Sequence, residues 1–365
     1  MSQQAAVTVS SLARGSLRFS TGDGHRVPIA LVEEVCVEAL TLAGVPRAHA
    51  EQQTSLLMEA ELKGHHSHGL LRLPRVIERI ANGVTDPVTA GEHQWSGNIL
   101  RVNGRNGLGP VVALTALDLI SKRARESGVA IAAIRDCNHL GMLAWYAEKT
   151  TREGLVFLGL TISEALVHPW GGRRAMLGTN PIAIGVPAEP TPFILDMATS
   201  TVSMGKIHDH ANRGEPIPAG WALDTDGEPT TDAMAAKGGA IAPFGGAKGY
   251  ALGLAFEVLV TSLTGAAIGR QVTGTLDSDT ECNKGDVFIV AEPSQNVGPL
   301  VSGFLDELRA SPPADPKRSV SIPGDRASMA VAARQSGDIE ILAKVWTQIC
   351  DLARRPDLVP THSGC

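Results

Sequence analysis

Between residues 110 and 161 the chain alternates helical spacing with two unbroken apolar runs, and this pattern restricts the fold more than any other feature. Residues 110–127 have a helical period and lead into Gly128–Ile134, a run without a polar side chain. Residues 140–153 are helical again and lead into Leu155–Thr161, apolar up to its last position. Runs of this length fit strands covered on both faces, since a half-exposed strand alternates polar with apolar residues. Strands alternating with helices define an α/β chain.

The flanks extend the pattern. Residues 28–44 and 46–63 read as two helices split by Gly44-Val45-Pro46, and Leu70–Ile80 as an amphipathic helix stopped by Asn82-Gly83. Residues 182–186, 192–195 and 286–290 read as short strands. Residues 247–264, 297–311 and 326–355 read as helices. The Gly- and Pro-rich stretch 164–181 is too long to be mere connection, and loops of that length in compact domains are usually functional. The first 27 residues, Ser-rich with Arg14 and Arg18 against Asp23, read as a flexible arm in which Gly15–Ser20 could add a short strand.

Bulk properties narrow the class. The net charge of -6 over 365 residues, without any Lys/Arg run, argues against a nucleic-acid partner. No apolar stretch reaches the length of a membrane span, so no membrane partner is expected. Five cysteines, Cys36, Cys137, Cys282, Cys350 and Cys365, are scattered without a C-x-x-C spacing. That usage suits a reducing cytosol, and a cytoplasmic location is expected.

The chemistry concentrates in Gly64-His65-His66-Ser67-His68-Gly69, followed by Arg72. Histidine is readily poised to exchange a proton near neutral pH. Arginine grips a carboxylate through two parallel hydrogen bonds. An acid/base beside such a clamp points to reaction at the carbon next to a carboxylate. The competing readings are a solvated helix start and a metal-dependent hydrolase built on His65, His66 and His68. The metal reading lacks any second ligand group at a recognised spacing, and none is expected.

A dinucleotide fingerprint of the G-x-G-x-x-G type is absent. The nearest stretch, Gly104-Arg105-Asn106-Gly107-Leu108-Gly109, has the wrong spacing and no recognised strand before it, so a Rossmann domain is not expected. A second glycine loop, Phe244-Gly245-Gly246-Ala247-Lys248-Gly249-Tyr250, runs into an apolar helix. It reads equally as a phosphate seat at a helix N-terminus or as an ordinary helix start.

Together these stretches resemble the malate/L-lactate dehydrogenase-like family of NAD(P)-dependent oxidoreductases, which includes ureidoglycolate, sulfolactate and diketogulonate dehydrogenases and piperideine/pyrroline-2-carboxylate reductases. The resemblance covers about residues 28–355. It is carried by Ser67-His68-Gly69 with Arg72-Leu73-Pro74, Asn138-His139-Leu140-Gly141 and Gly178-Thr179-Asn180-Pro181. Further matches are Leu195–Ser200 with Gly205-Lys206, Asp224–Gly227 with Pro229–Thr231, and Lys248-Gly249-Tyr250.

The resemblance implies a non-Rossmann mixed-sheet α/β fold, NAD or NADP as cofactor, a homodimer and a small carboxylate-bearing substrate. It implies His68 as proton donor oriented by Ser67, and Arg72 on the substrate carboxylate. Thr179, Met204 and Gly205 would also contact substrate. His139, Leu140, Gly141, Met142 and Leu143 would line the nicotinamide or its ribose. Asp196, Met197, Ala198, Ala247, Lys248 and the turn Pro323-Gly324-Asp325-Arg326 would hold the dinucleotide. The implied organisation is the arm 1–27, a helical substrate and dimerisation domain of 28–115 plus 297–365, and a cofactor domain of 116–296.

One position separates substrate classes. The ketimine reductases that the chain resembles around Gly171–Arg174 carry an Asp after the Met204-Gly205 equivalent, and this chain carries Lys206. A cation there lowers the pKa of a nearby histidine where an Asp raises it, or binds a second anionic group. Lys206 is therefore assigned to the catalytic set, against the plainer reading of a surface lysine, and an oxo/hydroxy acid is expected ahead of a cyclic imine.

Overall fold

A computed structural model describes residues 18–19, 24–332 and 337–359 of the chain. Its described residues divide into two units, one running up to Gly83 and resuming at Arg326, the other spanning Val84–Asp325.

In the first unit, β1 (Arg18–Phe19) pairs antiparallel with β2 (Gly24–Pro28), and β2 with β13 (Asp338–Leu342). The helices are α1 (Ile29–Leu42), α2 (Arg47–Leu62), α3 (Leu73–Ala81), α10 (Asp325–Ala332) and α11 (Ala343–Leu352). The anticipated break between α1 and α2 is present: Gly44 takes a left-handed φ of 91° and Pro46 precedes α2. Buried Val35, Leu40, Leu57, Trp346 and Ile349 form much of this unit's interior.

The second unit is built on a seven-stranded mixed sheet of order β3-β4-β5-β12-β6-β7-β8. Its strands are β3 (Glu92–Ser96), β4 (Ile99–Asn103), β5 (Val129–Arg135), β6 (Val156–Thr161), β7 (Ile182–Val186), β8 (Phe193–Met197) and β12 (Gly285–Ala291). Only β4 and β5 pair in parallel, across α4 (Gly109–Ser127). The two apolar runs are β5 and β6, lying either side of β12. A small sheet joins β9 (Ala222–Leu223), β10 (Pro229–Thr230) and β11 (Ala240–Ile241). The remaining helices are α5 (Leu143–Arg152), α6 (Met204–Arg213), α7 (Ala233–Lys237), α8 (Ala247–Thr264) and α9 (Gly298–Ala310).

Several expectations change. The division falls after Gly83 and after Asp325 rather than at 115/116 and 296/297, because the β3–β4 hairpin carries residues 84–115 into the large sheet. Residues 326–355 are not one helical stretch, since β13 interrupts them with a buried Ile339 and Ile341 facing the interior. The glycine stretch 104–109 does follow a strand, β4, and opens α4, so it is the turn of a parallel β-α-β unit. Of the expected arm, residues 1–17 and 20–23 lie outside the described residues, whereas Arg18–Phe19 and Gly24–Pro28 are strands.

Candidate active site

In the first unit, the turn from α2 to α3 gathers the chemistry noted in the sequence. Two short 3-10 turns, His66–His68 and Leu70–Arg72, fill it. Ser67 Oγ lies 3.0 Å from His68 Nδ1, and Arg72 Nε donates to Ser67 O at 2.8 Å. Burial, then the Arg72 and His65 charges, push the His68 pKa down to about 4, so its imidazole is neutral at pH 7. Burial and the neighbouring Arg75 lower Arg72 to about 10, which leaves it charged.

Glu61 was not anticipated. This buried carboxylate at the end of α2 accepts the Leu70 N–H at 3.0 Å and is hydrogen-bonded to His66 Nδ1. A Cβ at residue 69 would overlap Glu61 Oε2, which explains the glycine there. The signal available in sequence was an acid at helical spacing from Leu57 and Met58 on the buried face of α2, one turn before the histidines.

In the second unit, the β5–α5 loop is locked from below. Asn138 Nδ2 donates to Asn106 O (2.7 Å) and Gly107 O (3.0 Å). Side chains at 104 or 109 would overlap the backbone of residues 136–139, so these glycines admit the loop. His139 Nδ1 accepts the Gly141 N–H at 3.0 Å, which places the neutral ring's proton on Nε2. Tyr146 Oη donates to Leu140 O at 2.8 Å. Asp196 Oδ2 accepts the Ala144 N–H at 2.8 Å, tying the end of β8 to the first turn of α5.

Thr179 is held by its neighbours: its N–H donates to Ser163 Oγ, and its carbonyl accepts from Thr199 N–H at 2.8 Å. Met204 and Gly205 begin α6, which Ser203 caps through the Lys206 N–H. Met204 packs on the cluster of Val167, Leu177 and Ile207, as does Tyr250. Lys206 is exposed in that first turn.

At the start of α8, Gly245 and Gly246 both take left-handed φ (59° and 65°) and Lys248 is exposed. The N–H groups of such a helix start, beside one lysine, fit a phosphate. Gly324 takes φ 96° in its turn. Both Asp325 carboxylate oxygens bind the Arg309 guanidinium (2.8 and 3.2 Å) and one also accepts the Ile322 N–H, which fixes the turn. Arg326 is exposed at the first turn of α10.

The structure thus brings Ser67, His68 and Arg72 together, and His139–Leu143 together with Asp196. A family model described as malate/L-lactate dehydrogenase matches residues 27–350, and the chain belongs to that family. It is 37% identical over 335 residues to the L-sulfolactate dehydrogenase of Methanothermobacter thermautotrophicus, covering 89% of this chain and 96% of that protein. It is 34% identical to the Delta(1)-pyrroline-2-carboxylate reductase of Ancylobacter novellus, covering 90% of this chain and 98% of that one. Among solved structures, a dehydrogenase from Sinorhizobium meliloti superposes with a TM-score of 0.86 at 49% identity, over 90% of this chain and 98% of that chain.

Proposed function

We propose that the protein is an NAD(P)-dependent oxidoreductase that interconverts a small 2-oxo acid and the matching 2-hydroxy acid. The observation that carries this reading is the Ser67–His68–Arg72 turn, where a neutral imidazole and a carboxylate clamp share one backbone segment. The nicotinamide, when bound, supplies or accepts the hydride. Residues of the β5–α5 loop, the end of β8 and the α8 N-terminus are the residues assigned to hold it.

Arg72 has Nε committed to Ser67 O, so the clamp on the substrate carboxylate falls to its terminal nitrogens. Ser67 occupies Nδ1 of His68, so proton exchange with the substrate oxygen falls to Nε2. Neutral His68 is already the base that hydroxy-acid oxidation requires. For reduction it must first take up a proton, and a substrate carboxylate on Arg72 offsets one of the charges that disfavour this. Anionic substrate and proton therefore bind cooperatively.

A second reading, reduction of a cyclic imino acid, is supported by the pyrroline-2-carboxylate reductase relative. Oxidation of NADH and NADPH against pyruvate, oxaloacetate, sulfo- and ureido-substituted oxo acids and piperideine-2-carboxylate decides between them. Turnover of the oxo acids alone supports the first reading, and turnover of the imine alone replaces it.

A homodimer is supported by α8, which leaves Leu252, Leu254, Val258 and Leu259 exposed while Gly249, Gly253 and Glu257 face inward. A cytoplasmic location is supported by the four described cysteines, all buried and none joined in a disulfide. Among the described residues no helix is long and apolar enough to cross a membrane.

A further inference from the structure

Helix α8 buries a stripe at every fourth residue, Gly249, Gly253 and Glu257. Side chains at the two glycines would overlap Phe244 O and crowd Thr199 Oγ1, so their absence lets the helix lie close to the neighbouring loops. That close approach delivers Glu257, 1% exposed, to the loop before β7. Its Oε2 accepts the Gly178 N–H at 3.3 Å and is hydrogen-bonded by Asn180 Nδ2, while Oε1 accepts the Gly269 N–H at 2.8 Å. These three N–H donors satisfy both of its oxygens, as a buried polar side chain requires.

Asn180 is fully buried at φ 34°, and its Nδ2 also donates to Gly253 O at 3.1 Å. Thr179 sits between the two residues anchored by Glu257, with Ser163 and Thr199 fixing its own N–H and carbonyl. The backbone of 178–180 is thereby held at each residue, and so is the direction in which Thr179 leaves it.

We infer that Glu257 is a positioning residue for substrate recognition, holding the Gly178–Asn180 turn so that Thr179 meets the substrate. This rests on Thr179 being a substrate contact. Glu257→Gln keeps the size but leaves one acceptor oxygen for donors on two sides, so the shared anchoring of the 178–180 turn and Gly269 is broken.

The test is steady-state kinetics on the full chain with the best oxo acid from the panel, together with direct titration of NAD(P)H. Glu257→Gln should raise KM for the acid about tenfold or more and lower kcat, with cofactor Kd within about twofold, the pattern of lost substrate alignment. Thr179→Ala should do the same, and the double variant should be no worse than the poorer single one. Asn180→Gly, which accepts the backbone angle and removes only the amide, gives the same shift if Glu257→Gln does not fold.

Normal constants in Glu257→Gln, or losses that add to those of Thr179→Ala, overturn the inference while leaving Thr179 in place. Unchanged constants in Thr179→Ala remove the substrate contact itself, and the inference with it.

Discussion

In the turn after α2 the groups with chemistry are side chains: an imidazole paired with a hydroxyl, and a guanidinium tied to the Ser67 carbonyl, all within six residues, Ser67 to Arg72. In the sheet unit the corresponding loops are made of backbone, held in place by glycines that clear space and by amides and carboxylates that bind main-chain groups. The first region depends on charge and protonation, the second on shape. Substitutions should therefore separate them, with the turn responding in rate and pH profile and the loops in stability and ligand affinity.

The largest effect is expected at His68. His68→Ala should lower turnover by about two to four orders of magnitude, the usual share of a general acid. NAD(P)H affinity, measured by titration, should change little, and near-normal turnover would remove His68 from the mechanism.

On the side of shape, Lys284 and Asp286 form a buried ion pair (2.6 Å to Oδ2) beneath the β5–α5 loop, with Cys137 among the neighbouring groups. Lys284→Met strands the Asp286 carboxylate, and about 3–5 kcal/mol of stability should be lost in denaturant titration. A loss below about 1 kcal/mol would mean that water reaches the carboxylate.

The pH profile follows from His68, whose pKa burial and the neighbouring cations lower from the ordinary 6.5 to about 4 on folding. For reduction, kcat/KM should rise by up to about tenfold per pH unit as pH falls from 8 to 5, because the protonated fraction grows. Oxidation should hold its base down to about pH 5 and decline below that. In stability, the unfolded chain binds the extra proton first, so His68 costs stability progressively as pH falls from 6.5 towards 4. A reduction rate independent of pH would show that the proton comes from elsewhere.

Gly109→Ala tests the loops directly. Its Cβ would overlap the His139 carbonyl, so a loss of about 1–3 kcal/mol is expected along with weaker cofactor binding. Thermal unfolding with and without NAD(P)H separates the two parts. The smallest effect belongs to Lys206, exposed at the start of α6: Lys206→Asp should change the ratio of oxo-acid to imine reduction by an amount worth under about 1 kcal/mol. A larger change would mean that Lys206 faces a desolvated substrate.

Legibility in the sequence followed the same line. The helix break at Gly44–Pro46, the two apolar strands and the apolar helix α8 were readable because period and punctuation are local properties. The β3–β4 hairpin was not, since Glu92–Ser96 is an exposed edge with few apolar residues. Strand β13 was not either, because Asp338–Leu342 is a five-residue alternation set between helical stretches. At the candidate site, His68 and Arg72 stood out by residue type. Glu61 and Glu257 did not, since nothing local says that a helical carboxylate points inward at main-chain amides.

The sequence by itself determined the α/β class, the residues that could carry a proton and a carboxylate, and the family. Its helices and buried strands are set by period, and its reactive groups by their chemistry, both of which reside in the residues themselves. Tertiary structure alone decided that Gly104 and Gly109 clear space for residues 136–139, that Asp325 belongs to Arg309, and that Glu257 holds the turn around Thr179. Each of these is a contact between segments from 16 to about 80 residues apart, and such contacts exist only once the chain has folded.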